Sequence, residues 1–154
     1  MKKVLIVNFS VTGKTATMAD FIAEGIRFNG IEALIKKIGD IHNVADLQGF
    51  DGYIFGSPTF SQDVPKPVKN FMDLAQKADL KGKLVGSFGS YKHDTGYRHD
   101  STAPAAMIDI ITDQNKMLPF DLGPFALQED MIDTRDGMKA CQDYGKVFGE
   151  KLGG

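Results

Sequence analysis

"VNFSVTGKTA", residues 7–16, closes one pattern and opens another. The run that enters it, "KVLIVNF" (3–9), is apolar almost throughout, as in a strand buried on both faces of a sheet. The segment that leaves it, 15–28, sets Ala19, Ile22, Ala23 and Ile26 on one helical face. Buried strand, tight turn and amphipathic helix together are the opening unit of an α/β fold.

The same alternation continues along the chain. "IEALIKKI" (31–38) reads as an edge strand and "DGYIFGS" (51–57) as a second central strand. A helix over 66–78 carries Val68, Phe71, Met72 and Ala75 in its apolar stripe. "KLVGSFG" (83–89) is a third central strand. A helix over 103–115 tolerates Pro104 in its first turn, where a missing N–H costs little. "MLPFDLGPFALQ" (117–128) holds the last strand, broken by Pro119 and Pro124. Residues 134–152 close the chain as a helix, with Met138, Cys141, Gly145, Phe148 and Leu152 in register. There is no internal repeat and no low-complexity linker, so residues 1–154 read as one domain. Strands alternating with helices imply a parallel sheet covered on both faces. Ligands of such sheets sit beyond the carboxyl ends of the strands. Three loops fall there, residues 10–15, 58–65 and 89–102, and they are rich in Ser, Thr, Gly, Tyr and His.

Gly13-Lys14-Thr15 has the letters of a nucleoside-triphosphate loop. That loop needs G-x-x-x-x-G-K-[ST], and the place of its first glycine is taken by Asn8, still inside the strand. What remains is a short turn whose free N–H groups and helix dipole attract a single anion. Ser10, Thr12 and Thr15 add hydroxyl donors, and Gly13 permits the backbone of an anion nest. Ser10 or Thr12 could instead cap the helix, but capping needs one hydroxyl and here are three.

These features resemble the flavodoxin family. "SVTGKT" matches its [ST]-x-T-G-x-T phosphate loop, "YIFGSPTFSQDVP" lies in the place of its second flavin loop, and "GSFGSY" is similar to the start of its third. "CQDYGKVFGEKL" is similar to the closing helix, so the resemblance spans nearly the whole chain in order. It is nearest to the short-chain, clostridial-type flavodoxins and to the flavodoxin-like domain of flavodiiron proteins. The extra segment of long-chain flavodoxins is missing around residues 118–128.

The resemblance implies a doubly wound five-stranded parallel sheet of order 2-1-3-4-5, helices on both faces, and non-covalent binding of FMN. It implies that the side chains of Ser10, Thr12 and Thr15, with the amides of residues 11–15 (Val11, Gly13 and Lys14 among them), hold the flavin phosphate. Lys14 occupies a variable position and is expected to face water. Pro58, Thr59, Phe60 and Ser61 would lie on the inner face of the ring, with Asp63 accepting from its N3–H. Gly89, Ser90 and Tyr91 would contact the pyrimidine edge.

The chain also departs from the family. Short-chain relatives carry a Gly-Trp after Ser-Tyr, whereas here Lys92 and His93 follow Tyr91 and the chain has no Trp. Tyr91, His93 or Tyr97, with Gly96 at a turn, would then cover the outer face of the ring. Ser61 replaces a glycine whose peptide flips on reduction, a motion that costs a side-chain-bearing residue more. Read without the family, Phe60 is equally an ordinary core aromatic and Asp63 a helix cap. The His-Asp pairs at 93–94 and 99–100 invite a metal, but nothing fixes three or four converging ligands, and a polar surface loop is the simpler account.

The totals fit this picture. A net charge of −2 without a basic cluster argues against nucleic acid. One cysteine excludes an internal disulfide, and Cys141 on an apolar stripe reads as a packed thiol. "MKKVLIV" is too short for a signal peptide and nothing approaches a membrane span, so a cytoplasmic monomer is expected. The resulting expectation is an electron-transfer flavoprotein shuttling low-potential electrons between a reductase and acceptor proteins, with no catalytic residue and no metal. A small FMN-dependent quinone or nitro reductase of the same fold is the alternative. A flavodoxin-like binding module without flavin is a further one. A receiver domain is discounted, because Asn8 and Phe9 stand where its acidic residues belong.

Overall fold

The computed structural model describes residues 2–10, 13–58, 65–91 and 103–153. Strand β1 (Lys3–Asn8) pairs on one side with β2 (Glu32–Lys37) and on the other with β3 (Gly52–Gly56), which pairs in turn with β4 (Leu84–Tyr91). The last position is shared by two short strands, β5 (Leu118–Pro119) and β6 (Phe125–Gln128), both on β4. All these pairings are parallel, and the order β2-β1-β3-β4-β5 is the doubly wound order expected from the sequence. The last strand is split, as the sequence suggested, but not at Pro119, which pairs with Val85 and is followed by the Phe120 amide donating to the Val85 carbonyl; the pairing with β4 stops after Phe120 and resumes at Phe125, just past Pro124.

Helices α1 (Lys14–Arg27) and α5 (Arg135–Leu152) cover one face of the sheet. Helices α2 (Lys66–Ala75) and α3 (Ala103–Asn115) cover the other. Alternation along β1 decides which core each side chain enters. Val4 and Ile6 join Met18, Ile22, Cys141 and Phe148 under α1 and α5, while Leu5 and Val7 join Phe55, Phe71, Met72 and Ile111 under α2 and α3. Edge strand β2 is buried on one face only, and Lys36 and Lys37 blunt its end. Two 3-10 turns, Ile38–Asp40 and Val44–Leu47, and a one-turn helix α4 (Glu129–Ile132) carry no apolar periodicity long enough to be seen in the sequence.

The α1–α5 pair is held at backbone distance. A Cβ added to Gly145 would lie 2.0 Å from the Ile22 carbonyl oxygen, and one added to Gly25 would lie 2.0 Å from that of Gln142. Neither contact can be relieved by turning a side chain. Gly145→Ala is therefore expected to push the helices apart and destabilise the fold by about 1–3 kcal/mol. Urea denaturation checks this, and an unchanged midpoint would refute it.

Candidate functional site

The carboxyl edge of the sheet gathers the ends of β1, β3 and β4. The ladder continues one residue past β1, where the Phe9 amide donates to the Gly56 carbonyl at 3.0 Å. The chain then turns, and the Gly13 amide donates to Ser10 Oγ at 3.0 Å. Gly13 has φ +89°, a left-handed conformation that only glycine adopts cheaply, and the space beside its Cα is open. Its carbonyl accepts from both the amide and the hydroxyl of Thr17, at 3.0 Å each, which starts α1.

Gly13 is the N-cap, so no side chain covers the helix end. The amides of Lys14, Thr15 and Ala16 have no intrahelical acceptor. The first turn contains no carboxylate to neutralise them. Thr15 is buried, and its hydroxyl meets that of Ser90, also buried, at 3.1 Å. Whichever of the two donates, the other keeps a hydrogen for a ligand. This pair ties the first turn of α1 to the end of β4.

The expected sites distribute unevenly over this edge. Ser10, Gly13, Thr15 and Ser90 come together as one donor set. Pro58 is buried at the exit of β3, where its carbonyl accepts from Ser57 Oγ at 2.8 Å. Gly89 and Ser90 lie within β4 rather than in a loop, and half-buried Tyr91 ends that strand opposite Gln128. The reason for a glycine at 89 is packing: a Cβ would lie 2.0 Å from the Ser57 carbonyl oxygen and 2.9 Å from Pro104 Cγ. Lys14 does not simply face water. Its ammonium pairs with the carboxylate of Asp133, just beyond α4. No local signal could have joined residues 119 positions apart. Val11, Thr12, Thr59, Phe60, Ser61, Asp63, His93, Gly96 and Tyr97 lie outside the described residues, as do the His-Asp pairs. Among the described residues no group of three or more metal-ligating side chains converges, and no helix is long and apolar enough to cross a membrane.

An uncapped helix end with three free amides, a positive-φ glycine, two hydroxyls and no carboxylate suits a phosphate monoester. That is the chemistry the terminal phosphate of FMN requires, and the residues present fit it.

Comparison with known proteins agrees. The sequence model of the NADPH-dependent FMN reductase family matches residues 41–119, about half of the chain. A flavodoxin of Maridesulfovibrio salexigens is 38% identical over 101 residues, covering 63% of this chain and 68% of that one. A putative diflavin flavoprotein of Synechocystis is 29% identical over 153 residues, which is 97% of this chain but 24% of that protein. The chain thus spans about a quarter of that relative. An NAD(P)H dehydrogenase (quinone) of Gluconacetobacter diazotrophicus is 30% identical over 118 residues, covering 64% of this chain and 59% of that one. Among solved structures, oxidised flavodoxin 1 of Bacillus cereus superposes with a TM-score of 0.80 at 25% identity, over 97% of this chain and 98% of that one.

Away from this edge, Cys141 is fully buried under α1, and burial pushes its thiol up from 9.0 to about 12. Burial likewise raises the phenol of Tyr144, whose hydroxyl donates to the Ser87 carbonyl at 3.2 Å. The native thiol is expected to resist disulfide reagents at pH 8 and to react only on unfolding, which a stopped reaction with Ellman's reagent reads directly. The unfolded chain loses this proton near pH 9.0 while the folded one keeps it to about 12. Stability should therefore fall as pH rises through that window, and Cys141→Ala should reduce the fall. Prompt labelling of the folded protein would refute the assignment.

Proposed function

The chain belongs to the flavodoxin-like family, and from that premise we propose that it carries electrons on bound FMN between a reductase and acceptor proteins. FMN is its cofactor, as the family model and the flavodoxin relatives support. Residues 1–154 act as one domain in this reading. The observation that carries it is the open first turn of α1, built to receive one phosphate and joined to β4 through Thr15 and Ser90.

Within it, Ser10, Val11, Thr12, Gly13, Lys14 and Thr15 surround the phosphate. Pro58, Thr59, Phe60, Ser61 and Asp63 flank the ring on one side, and Gly89, Ser90, Tyr91, His93, Gly96 and Tyr97 edge and cover it on the other. When bound, FMN supplies the redox chemistry. The chain's own residues would bind and orient it, the amides and hydroxyls of the first turn of α1 donating to the phosphate. No acid, base or nucleophile of the chain is required. Electron-transfer partners would dock through a small, transient interface. The relatives include a quinone dehydrogenase, so a small FMN-dependent quinone or nitro reductase is the second reading.

The test has two parts. Titrating the purified protein with FMN should quench flavin fluorescence at one equivalent; absence of binding would leave a binding module without flavin. The holoprotein should then show no steady NAD(P)H turnover with quinone or nitroarene unless a separate reductase is added. Sustained turnover of the protein alone would replace the carrier with the reductase.

Thr15→Val removes a hydroxyl from the phosphate site and leaves Ser90 without its partner. FMN should then bind about tenfold more weakly or worse, as the same titration reads. Asp133→Asn has the opposite sign. It frees Lys14 to face the phosphate, so FMN should bind up to about fivefold more tightly, with a steeper salt dependence. Unchanged affinity in both variants would remove this loop from the cofactor site.

A further inference from the structure

The two edges of the sheet are finished differently. The edge at β2 is guarded: Glu32, Lys36 and Lys37 put charge along the strand, and the Arg27 guanidinium donates to the Ala33 carbonyl at 2.7 Å. Charged side chains and capped carbonyls keep an exposed strand from pairing with another chain. On the far edge Pro119 stands in β5 and Pro124 in the turn before β6. β6 itself reads Phe125-Ala126-Leu127-Gln128, without charge or proline, and among the described residues it pairs with β4 alone.

Beside that edge lies an open groove of 300 Å³. Its floor is the Phe125 ring stacked on Tyr144, with 5.0 Å between centroids and 14° between planes. Ala140 and Val147 of α5 form one wall, Leu122 and Pro124 the other. The walls also project into solvent. Leu122 is 57% exposed and Val147 37%, and Leu118, 57% exposed, lies further along the same edge. Single exposed apolar side chains are ordinary, but several gathered around a groove mark a contact surface.

Charge decides what this surface can meet. An isologous contact sets a patch against its own copy, so it is open only to a patch of little net charge. The charges at the rim of the groove cancel. Lys151 pairs with Asp121 at 3.0 Å and Lys139 with Asp143 at 2.9 Å, cation against carboxylate in each case. Lys146 and Glu150, exposed elsewhere on α5, cancel likewise. A partner recognised by its charge would find no field here to steer it. What the patch presents is apolar shape, and it presents both halves of it: a projecting leucine and a hollow that a leucine can enter.

We propose that two copies of the chain associate across a two-fold axis at this edge, Leu122 of each seated between Phe125 and Val147 of the other. The proposal goes beyond the carrier reading and does not depend on it, since none of these residues belongs to the assigned flavin site. It replaces the monomer expected from the sequence. Stable interfaces bury about 800 Å² per partner, and a patch of so few side chains supports a reversible dimer with a dissociation constant on the order of 10–100 μM.

The experiment is sedimentation velocity of the purified chain, with and without FMN, over concentrations spanning that constant. A reversible monomer–dimer equilibrium is expected in both cases. Leu122→Asp and Val147→Lys each place an unpaired charge in the contact and should weaken association about tenfold or more. Both positions are exposed, so an unchanged urea midpoint and an unchanged FMN titration are expected of each variant. Should either fail that check, Leu122→Ser deletes the projecting side chain without adding charge and should also shift the equilibrium toward monomer. Mixed one to one, the two charged variants should associate again. One of the two symmetry-related contacts then regains Leu122 with Val147, and the other brings the two introduced charges, of opposite sign, together. Added salt should leave the wild-type dimer undiminished and weaken the mixed one. A monomer at every concentration, a dimer indifferent to both substitutions, or variants that stay apart when mixed would overturn the proposal.

Discussion

Every strand pairing in this sheet is parallel, and that constraint organises the rest of the molecule. Parallel strands share a direction, so the ends that lead into helices all lie on one edge. Loops separated by dozens of residues are thereby made neighbours. Thr15 and Ser90 stand 75 positions apart and still meet at 3.1 Å, because one opens the helix after β1 and the other closes β4. The donor set for an anion is a consequence of the register.

Holding the helix end at that edge takes precise packing elsewhere. The amides of α1 are useful only while α1 stays down on the sheet. Its close approach to α5, through Gly25 and Gly145, fixes it there with backbone against backbone. At the other end of the site, Gly89 does the same between the exit of β3 and Pro104. Two of the glycines nearest the site are thus there for different reasons. Gly13 supplies a backbone conformation, whereas Gly89 supplies room for the neighbouring strand and helix. A sequence shows only the letter G at both.

This separates what the sequence reveals from what it conceals. Buried parallel strands write themselves as apolar runs, and amphipathic helices as stripes, so the strands and helices are legible from Val4–Val7, the Ile22–Ile26 face and the Phe148 stripe, whereas the strand order came from the family resemblance. The loop over residues 10–15 stands out in the sequence because hydroxyls and a glycine cluster locally. Contacts between distant, individually ordinary residues were not. Lys14 looks like any exposed lysine, and only the fold carries Asp133 to it across the α4–α5 junction. The boundary of the third loop was also misjudged: β4 runs on through Tyr91, because β6 offers its backbone a partner up to Gln128.

Asn8 shows how the two kinds of information combine. As a letter it serves only to break a triphosphate motif. As a group it is a buried carboxamide at the end of an apolar strand, in register with Lys37 and Gly56, and it lines a cleft at the carboxyl edge. The same logic applies to the end of α1, where three amides are left open although a single Ser or Asp at the N-cap would have satisfied one of them. In both places polar groups are kept at the carboxyl edge of the sheet, where Asn8, Ser10 and Gly13 line one cleft. The pairing of Lys14 with Asp133 gives the opposite case, a charge at the same edge satisfied from within the chain. The edge is consequently tuned in three ways, by groups kept open, groups tied to one another and one cation held back. Its net attraction for an anion is set by the balance among them and not by the overall charge of −2.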